Sequence, residues 1–209
     1  MGEQVVVERR TQKERKAATI DKLVKAAISA IVDFGYQKAS IAVICELAGV
    51  SQGALFRHFA SRKALIIEVA ENVSTYLATE VMEKVQNRGK DDEFMAIMAD
   101  AIWDVMHSPE QAVLRELKVA ARTDSGLRSA IMDSEVRFNQ KLHFMVEAIT
   151  VGLNVDTKTL VDAIYLVIRC LDGLAMSSCL HKNEDESDAV RQLLFTSMEK
   201  EFGHTFSAL

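Results

Sequence analysis

The sequence predicts an all-α fold on three observations. One proline and nine glycines stand in 209 residues, so little interrupts long helices. Apolar residues recur at spacings of three and four along most of the chain, whereas β-branched residues do not fall into the alternating runs of strands. Hydrophobic residues make up 49% of the total, ample for a buried core.

Residues 1–14 lack a helical period and carry Arg9, Arg10 and Lys13, which reads as a flexible basic arm. From Lys16 to Phe34, apolar residues at Ile20, Leu23, Val24, Ala27, Ile31 and Phe34 make one amphipathic helix, and Gly35 ends it. Two short helices follow and meet at a tight turn. Ile44, Leu47 and Ala48 supply the apolar side of one, and Leu55 and Phe59 that of the other. Gly49 between them takes the left-handed conformation that ends a helix, and Ser51 caps the next. A helix from Ser61 to Gln86 carries a stripe from Leu65 through Val69, Val73 and Leu77 to Val85.

Asn87 to Lys90 breaks that pattern, and a further helix runs from Asp91 to His107. Ser108-Pro109-Glu110-Gln111 opens another, with serine as cap, proline at the first position and Gln111 placed to close a capping box. It ends near Arg122. The remaining helices are expected from Asp124 toward Gly152, from Asp156 to His181 and from Ser187 to Phe202, the polar stretch from Lys182 to Ser187 joining the last two.

Charge divides this chain of helices in two. The net charge is −5, yet residues 1–65 hold eleven Lys/Arg against six Asp/Glu, and the remainder is correspondingly acidic. A basic head suits a polyanion; an acidic body would be repelled by one and should point away from it. Cys45, Cys170 and Cys179 form no metal-ligand or CxxC spacing and read as reduced thiols of a cytoplasmic protein. The N-terminus shows no signal-peptide pattern, and the most apolar later stretch, Ala163 to Leu180, is interrupted by Arg169 and Asp172, so no membrane span is expected.

The turn region carries the chemistry. With Ser40 before the first short helix and Ser51 before the second, Gln52, Gly53, Ala54, Phe56, Arg57 and His58 form a surface of small residues, an amide, an aromatic and cations. Arg62 and Lys63 open the next helix, where cations oppose the macrodipole unless an anion such as a phosphate binds there. These ten residues are the candidate DNA contacts.

The run SIAVICELAGVSQGALFRHFASRK, Ser40 to Lys63, resembles the DNA-binding signature of the tetracycline-repressor (TetR) family. Ile44 to Ser51 match its second helix and turn, Gln52 to Phe59 its recognition helix, and Ser61 to Leu65 the start of its fourth helix. Three residues depart from the pattern: Phe56 replaces a usual tyrosine, Cys45 a common alanine, and Ala60 a common proline or glycine. The resemblance implies a nine-helix homodimer that regulates transcription, most often as a repressor, by binding a pseudo-palindromic operator in double-stranded DNA and leaving it when a small-molecule effector binds. Residues 15–62 would form the helix-turn-helix domain, 62–86 the linking helix and 63–209 the ligand-binding and dimerisation domain. No cofactor is implied.

In the second half the methionines suit either an adaptable pocket or the filling of an irregular core, and composition alone favours the core. The resemblance implies a ligand pocket among these helices, which Trp103, Met106, Phe138 and Met145 would line for an apolar or amphiphilic effector. Asp162, Tyr165, Arg169 and Asp172 share one face of an apolar helix. Arg169 must be paired or exposed: it joins Asp172 or Tyr165, bridges a subunit interface, or, with Tyr165, anchors an anionic ligand head. Ala163, Val167, Leu171, Leu174, Leu194, Phe195 and Met198 are expected to pack against their symmetry copies in a four-helix dimer interface, or else inside a monomer. The alternative function is a ligand-independent DNA-binding dimer of architectural type. The histidines are scattered and no phosphate loop or activated nucleophile is recognisable, so no enzyme is expected.

Overall fold

The computed structural model describes residues 11–87, 94–151, 156–178 and 184–206. Among them are nine α-helices and no strand: α1 Gln12–Phe34, α2 Ile41–Ala48, α3 Gln52–Phe56, α4 Arg62–Gln86, α5 Phe94–Met106, α6 Pro109–Ala121, α7 Ser125–Thr150, α8 Thr157–Ser178 and α9 Glu184–Phe206. Arg9 and Arg10, the break expected at residues 88–90, the helix end expected at Gly152, and Cys179 lie outside the described residues. No helix among those described is long and apolar enough to cross a membrane.

Helix α1 begins before its apolar period does. The Thr11 hydroxyl oxygen accepts from the Glu14 N–H at 3.2 Å, and the Glu14 carboxylate accepts from the Thr11 N–H at 2.7 Å. This capping box holds a polar first turn that apolar periodicity cannot reveal, so Lys13 belongs to a helix and not to the arm. Similarly, α9 starts at Glu184, inside the polar stretch expected to be a connector.

The chain falls into two compact units, one up to Asn72 and one from Val73, so α4 belongs to both. In the first unit α1 packs on α2 and α2 on α3. Leu23, Ala27, Ile31, Ile44 and Leu55 are fully buried there, with Leu65, Ile66 and Val69 of α4. Leu47, expected on the packing side of α2, is exposed; Ile44 and Cys45 carry the burial.

The turn between α2 and α3 follows backbone chemistry. Gly49 sits at φ 64°, ψ 35°, the left-handed region, and the Val50 N–H donates to the Cys45 carbonyl at 3.0 Å across the turn. A Cβ on Gly49 would meet nothing within 4 Å, so its glycine is required by conformation and not by space. The Ser51 hydroxyl oxygen then accepts from the Ala54 N–H at 3.1 Å to start α3. Helix α3 ends at Phe56, and Phe59 beyond it is buried.

Arg62 has a role that charge alone did not suggest. Its Nε donates to the Ala39 carbonyl at 2.9 Å, an Nη donates to the Tyr36 carbonyl, and the guanidinium lies 4.3 Å from the centre of the Tyr36 ring. The start of α4 is thereby fastened to the segment between α1 and α2. The expected phosphate-facing pair of cations is corrected accordingly: Arg62 is engaged inside the head.

In the second unit α6 packs on α7, α5 on α9, and α8 on α5, α7 and α9. Leu117, Leu127, Leu160, Val161 and Leu171 are fully buried or nearly so. Ser108 caps α6 with Pro109 in its first turn, as the sequence requires. The Gln111 side chain, however, closes no box; its amide donates to Asp172 Oδ1 of α8 at 2.9 Å.

Two outcomes follow. Gly49→Ala should destabilise the protein by about 1–2 kcal/mol through left-handed strain alone, with Gly49→Asn costing less; the midpoint of urea unfolding measures it. Arg62→Ala, which leaves two carbonyls without their cationic donor, should cost about 2–3 kcal/mol and Arg62→Lys should recover only part. An unchanged unfolding midpoint for Arg62→Ala would contradict the clasp.

Candidate nucleic-acid interface and ligand cavity

A helix of five residues is too short to persist by itself, so α3 is positioned by its neighbours. Leu55 is fully buried and fixes which side faces in. Gln52, Gly53, Phe56 and Arg57 consequently face out, and Phe56 is 50% exposed. Ala54 and His58 are half-buried, and the His58 Nδ1 finds no partner among the described residues. Ser40 and Ser51 are exposed. Each uses its hydroxyl oxygen as a helix-cap acceptor, which leaves the hydroxyl hydrogen able to donate outward. Lys63 is exposed on the first turn of α4.

Gly53 is informative because nothing inside the chain requires it. Its backbone is not at positive φ, and an added Cβ would meet only the Ser51 Oγ at 3.9 Å. Glycine within a helix is destabilising by roughly 0.5–1 kcal/mol relative to alanine. No contact or backbone angle among the described residues accounts for a bare backbone on the outer face of α3. Seven of the ten expected contacts are exposed, Ala54 and His58 are half-buried, and Arg62, also half-buried, is engaged with Tyr36 and Ala39.

The second unit contains a cavity of about 150 Å³. Its wall is largely aliphatic and Met-rich, drawing Leu77 and Val81 from α4, Met98 and Met106 from α5, and Phe138 and Met145 from α7. Tyr165, Arg169 and Asp172 reach it from α8, and Gln111 and Lys118 from α6. Of the six residues expected to line a cavity, five do. Trp103 does not: its ring packs 4.2 Å from that of His107, with the Arg191 guanidinium of α9 at 4.9 Å. It serves the α5 to α9 contact instead.

The polar residues around the cavity are mostly satisfied by one another. Asp172 Oδ1 accepts from Arg115 Nε at 2.7 Å as well as from Gln111, and Arg115 also donates to the Met106 carbonyl. Burial pushes the Asp172 carboxyl upward, but the Gln111 and Arg115 hydrogen bonds and the Arg115 and Lys118 charges outweigh it and hold the group below the ordinary carboxylate range. Lys118 pairs with Glu135 at 2.9 Å, and Ser134 donates to Ser74 at 3.3 Å. Arg115 is a member of this network that the sequence does not single out. Gln111, Arg115 and Lys118 recur at helical spacing beside Leu114, and that stripe was the available signal.

Tyr165 and Arg169 of α8 stay outside this network. The Tyr165 hydroxyl is buried without a hydrogen-bond partner, and burial raises its pKa while the Arg169 charge lowers it. Arg169 is exposed and forms no hydrogen bond or ion pair among the described residues. Its expected pairing with Asp172 is corrected, because Arg115 and Gln111 already occupy that carboxylate; Asp162 pairs with Lys158 at 2.7 Å.

The expected dimer face divides. Val167 and Leu171 are 3% and 0% exposed and belong to the core, so they cannot meet another subunit. Ala163, Leu174, Leu194, Phe195 and Met198 are half-buried. The apolar residues that α8 and α9 expose are Leu166, Met176 and Leu193, and Gly173 of α8 has open space where a Cβ would stand.

Residues 23–69 match the model of the family described as bacterial regulatory proteins, tetR family. The chain is 31% identical over 167 residues to the uncharacterised HTH-type transcriptional regulator Rv2912c of Mycobacterium tuberculosis, covering 80% of this chain and 86% of that protein. Among solved structures, a transcriptional regulator from Rhodococcus sp. Rha1 superposes with a TM-score of 0.66 at 16% identity, covering 87% of this chain and 96% of that one. FadR from Bacillus subtilis, in complex with stearoyl-CoA, gives 0.61 at 17% identity, covering 84% and 97%. The capped turn, the outward face of α3 and these relatives agree: the chain belongs to the TetR family of helix-turn-helix transcriptional regulators.

Proposed function

We propose that this regulator is a homodimeric repressor that reads a pseudo-palindromic DNA operator with α3 and leaves it when a small molecule occupies the cavity of the second unit. The observation that carries DNA reading is the outer face of α3, where Gly53 has no role inside the chain and Phe56 is half exposed. Gln52 is the base-reading candidate, since an amide makes paired hydrogen bonds to adenine in the major groove. Lys63, with the two cap serines, suits phosphate.

The cavity favours effector control over the ligand-independent alternative. A body serving only to dimerise has no use for a Met-lined void beside an unpartnered tyrosine hydroxyl. The stearoyl-CoA bound by the FadR neighbour supports ligand sensing in this fold. Because α4 belongs to both units and contributes to the cavity wall, it is the element through which occupancy would act on the head.

Dimerisation would use α8 and α9. Leu166 and Leu193, 60% and 68% exposed, have no cover among the described residues, and Gly173 permits close helix approach. Helix α7 exposes Met132, Val136 and Phe144 as a further apolar strip.

Both readings can be measured. Gln52→Ala should cost about 1–3 kcal/mol at the preferred sequence and relax base preference. Lys63→Ala should weaken all sequences alike and reduce the salt dependence by about one phosphate contact. Titration against specific and scrambled duplexes separates the two, and identical behaviour of both variants would refute the assigned roles. Leu166→Asp combined with Leu193→Asp should give a folded monomer by sedimentation, with operator affinity falling because the two heads are no longer linked. A dimer of undiminished affinity would move the interface elsewhere.

A further inference from the structure

We infer that the cavity takes a compact monocarboxylic acid, a single ring or a short branched chain bearing one carboxylate, with the Tyr165 hydroxyl and the Arg169 guanidinium as its polar end. This rests on the proposal that the cavity is the effector site, and it names the effector's chemical class.

Size sets the first limit. About 150 Å³ is the volume of an apolar cavity that holds one benzene-sized ring. A long acyl chain or an acyl conjugate, the amphiphile that a Met-rich helix pair first suggests, would have to extend out of it.

Charge sets the second. Both carboxylates lining the cavity are already neutralised, Asp172 by Arg115 and Gln111, and Glu135 by Lys118. A cationic ligand would therefore find no unengaged carboxylate, and entering would mean breaking one of those pairs. Lys141 and Arg169, by contrast, line the cavity and pair with nothing among the described residues, and of the two Arg169 is the one beside Tyr165. It lies one helical turn beyond Tyr165, close enough for its charge to act on the phenol.

The third limit is the buried Tyr165 hydroxyl. A ligand without a polar atom would leave it unsatisfied, as it is in the empty cavity. A carboxylate accepts from the hydroxyl with one oxygen and pairs with the guanidinium through the other, while its hydrocarbon portion faces the methionines and leucines. The Tyr165 ring packs against the Val146, Leu160 and Val161 cluster, but its hydroxyl and the Arg169 guanidinium have no partner among the described residues, so both polar groups stand ready for a ligand.

The test uses the full chain and calorimetric titration with 4-methylbenzoate, 4-methylbenzamide, choline and palmitate. The benzoate should bind at least tenfold more tightly than the amide of the same shape, and choline and palmitate should bind more weakly still. Tyr165→Phe and Arg169→Met should each weaken the benzoate about tenfold, and Arg169→Met should leave the amide unchanged. Melting temperatures without ligand should match the parent protein; a structural role for either residue would lower them. Equal binding of acid and amide overturns the assignment, as does benzoate binding indifferent to both variants, a preference for choline or palmitate, or no binding by any of the four. The same titrations in the presence of a duplex selected by the protein from a random pool separate the two levels of the argument. Tight, Arg169-dependent binding of the benzoate without loss of the duplex supports the ligand class and refutes effector control.

Discussion

Helix ends govern this structure. Two of its functional helices have eight and five residues, lengths at which an isolated helix does not form in water. They exist because their terminal N–H groups are met by Ser40 and Ser51, and because Gly49 turns the chain at positive φ without a steric penalty. Ser61 repeats the device at the start of α4, its hydroxyl oxygen accepting from the Ala64 N–H at 3.1 Å. The short helices gain burial only through Ile44, Cys45 and Leu55, so the caps and the turn decide how α3 presents its outer face.

The second unit obeys a different rule, the pairing of charge near an apolar void. Asp172 sits beside the cavity, and α6 holds its carboxyl below the ordinary range with two hydrogen bonds, from Gln111 and Arg115, and with the charges of Arg115 and Lys118. With Asp172 and Glu135 both engaged, the lining groups left without a partner among the described residues include the Tyr165 hydroxyl, Arg169 and Lys141. On the proposed reading of the cavity, the network would select ligand charge indirectly, by which groups it leaves over.

The head was legible in the sequence because its determinants are local. Gly49 followed by Ser51 specifies a turn and a cap by themselves, and the apolar spacing of α1 and α4 is set by helical geometry. The capping box at Thr11 was equally local but lay in a segment without apolar residues, where periodicity says nothing. What escaped was contact between residues distant in sequence: Arg62 with Tyr36 and Ala39, and Arg115 with Asp172. A cation looks the same in sequence whether its partner is a phosphate, a carbonyl or a carboxylate on another helix. The apolar residues of α8 posed the same difficulty, since Val167 and Leu166 are neighbours of similar chemistry and only packing shows that one is core and the other surface.

Gly53 separates two demands that a protein usually reconciles. Its position would accept a methyl group and gain helix stability from it, since neither backbone angle nor neighbouring atoms object. A population of variants screened only for resistance to heat would therefore drift toward alanine at residue 53. If α3 reads DNA as proposed, the drift would be invisible in the free protein and would register first as a lost groove fit. Fitness of this head would then be defined by a surface that is absent when the molecule stands alone.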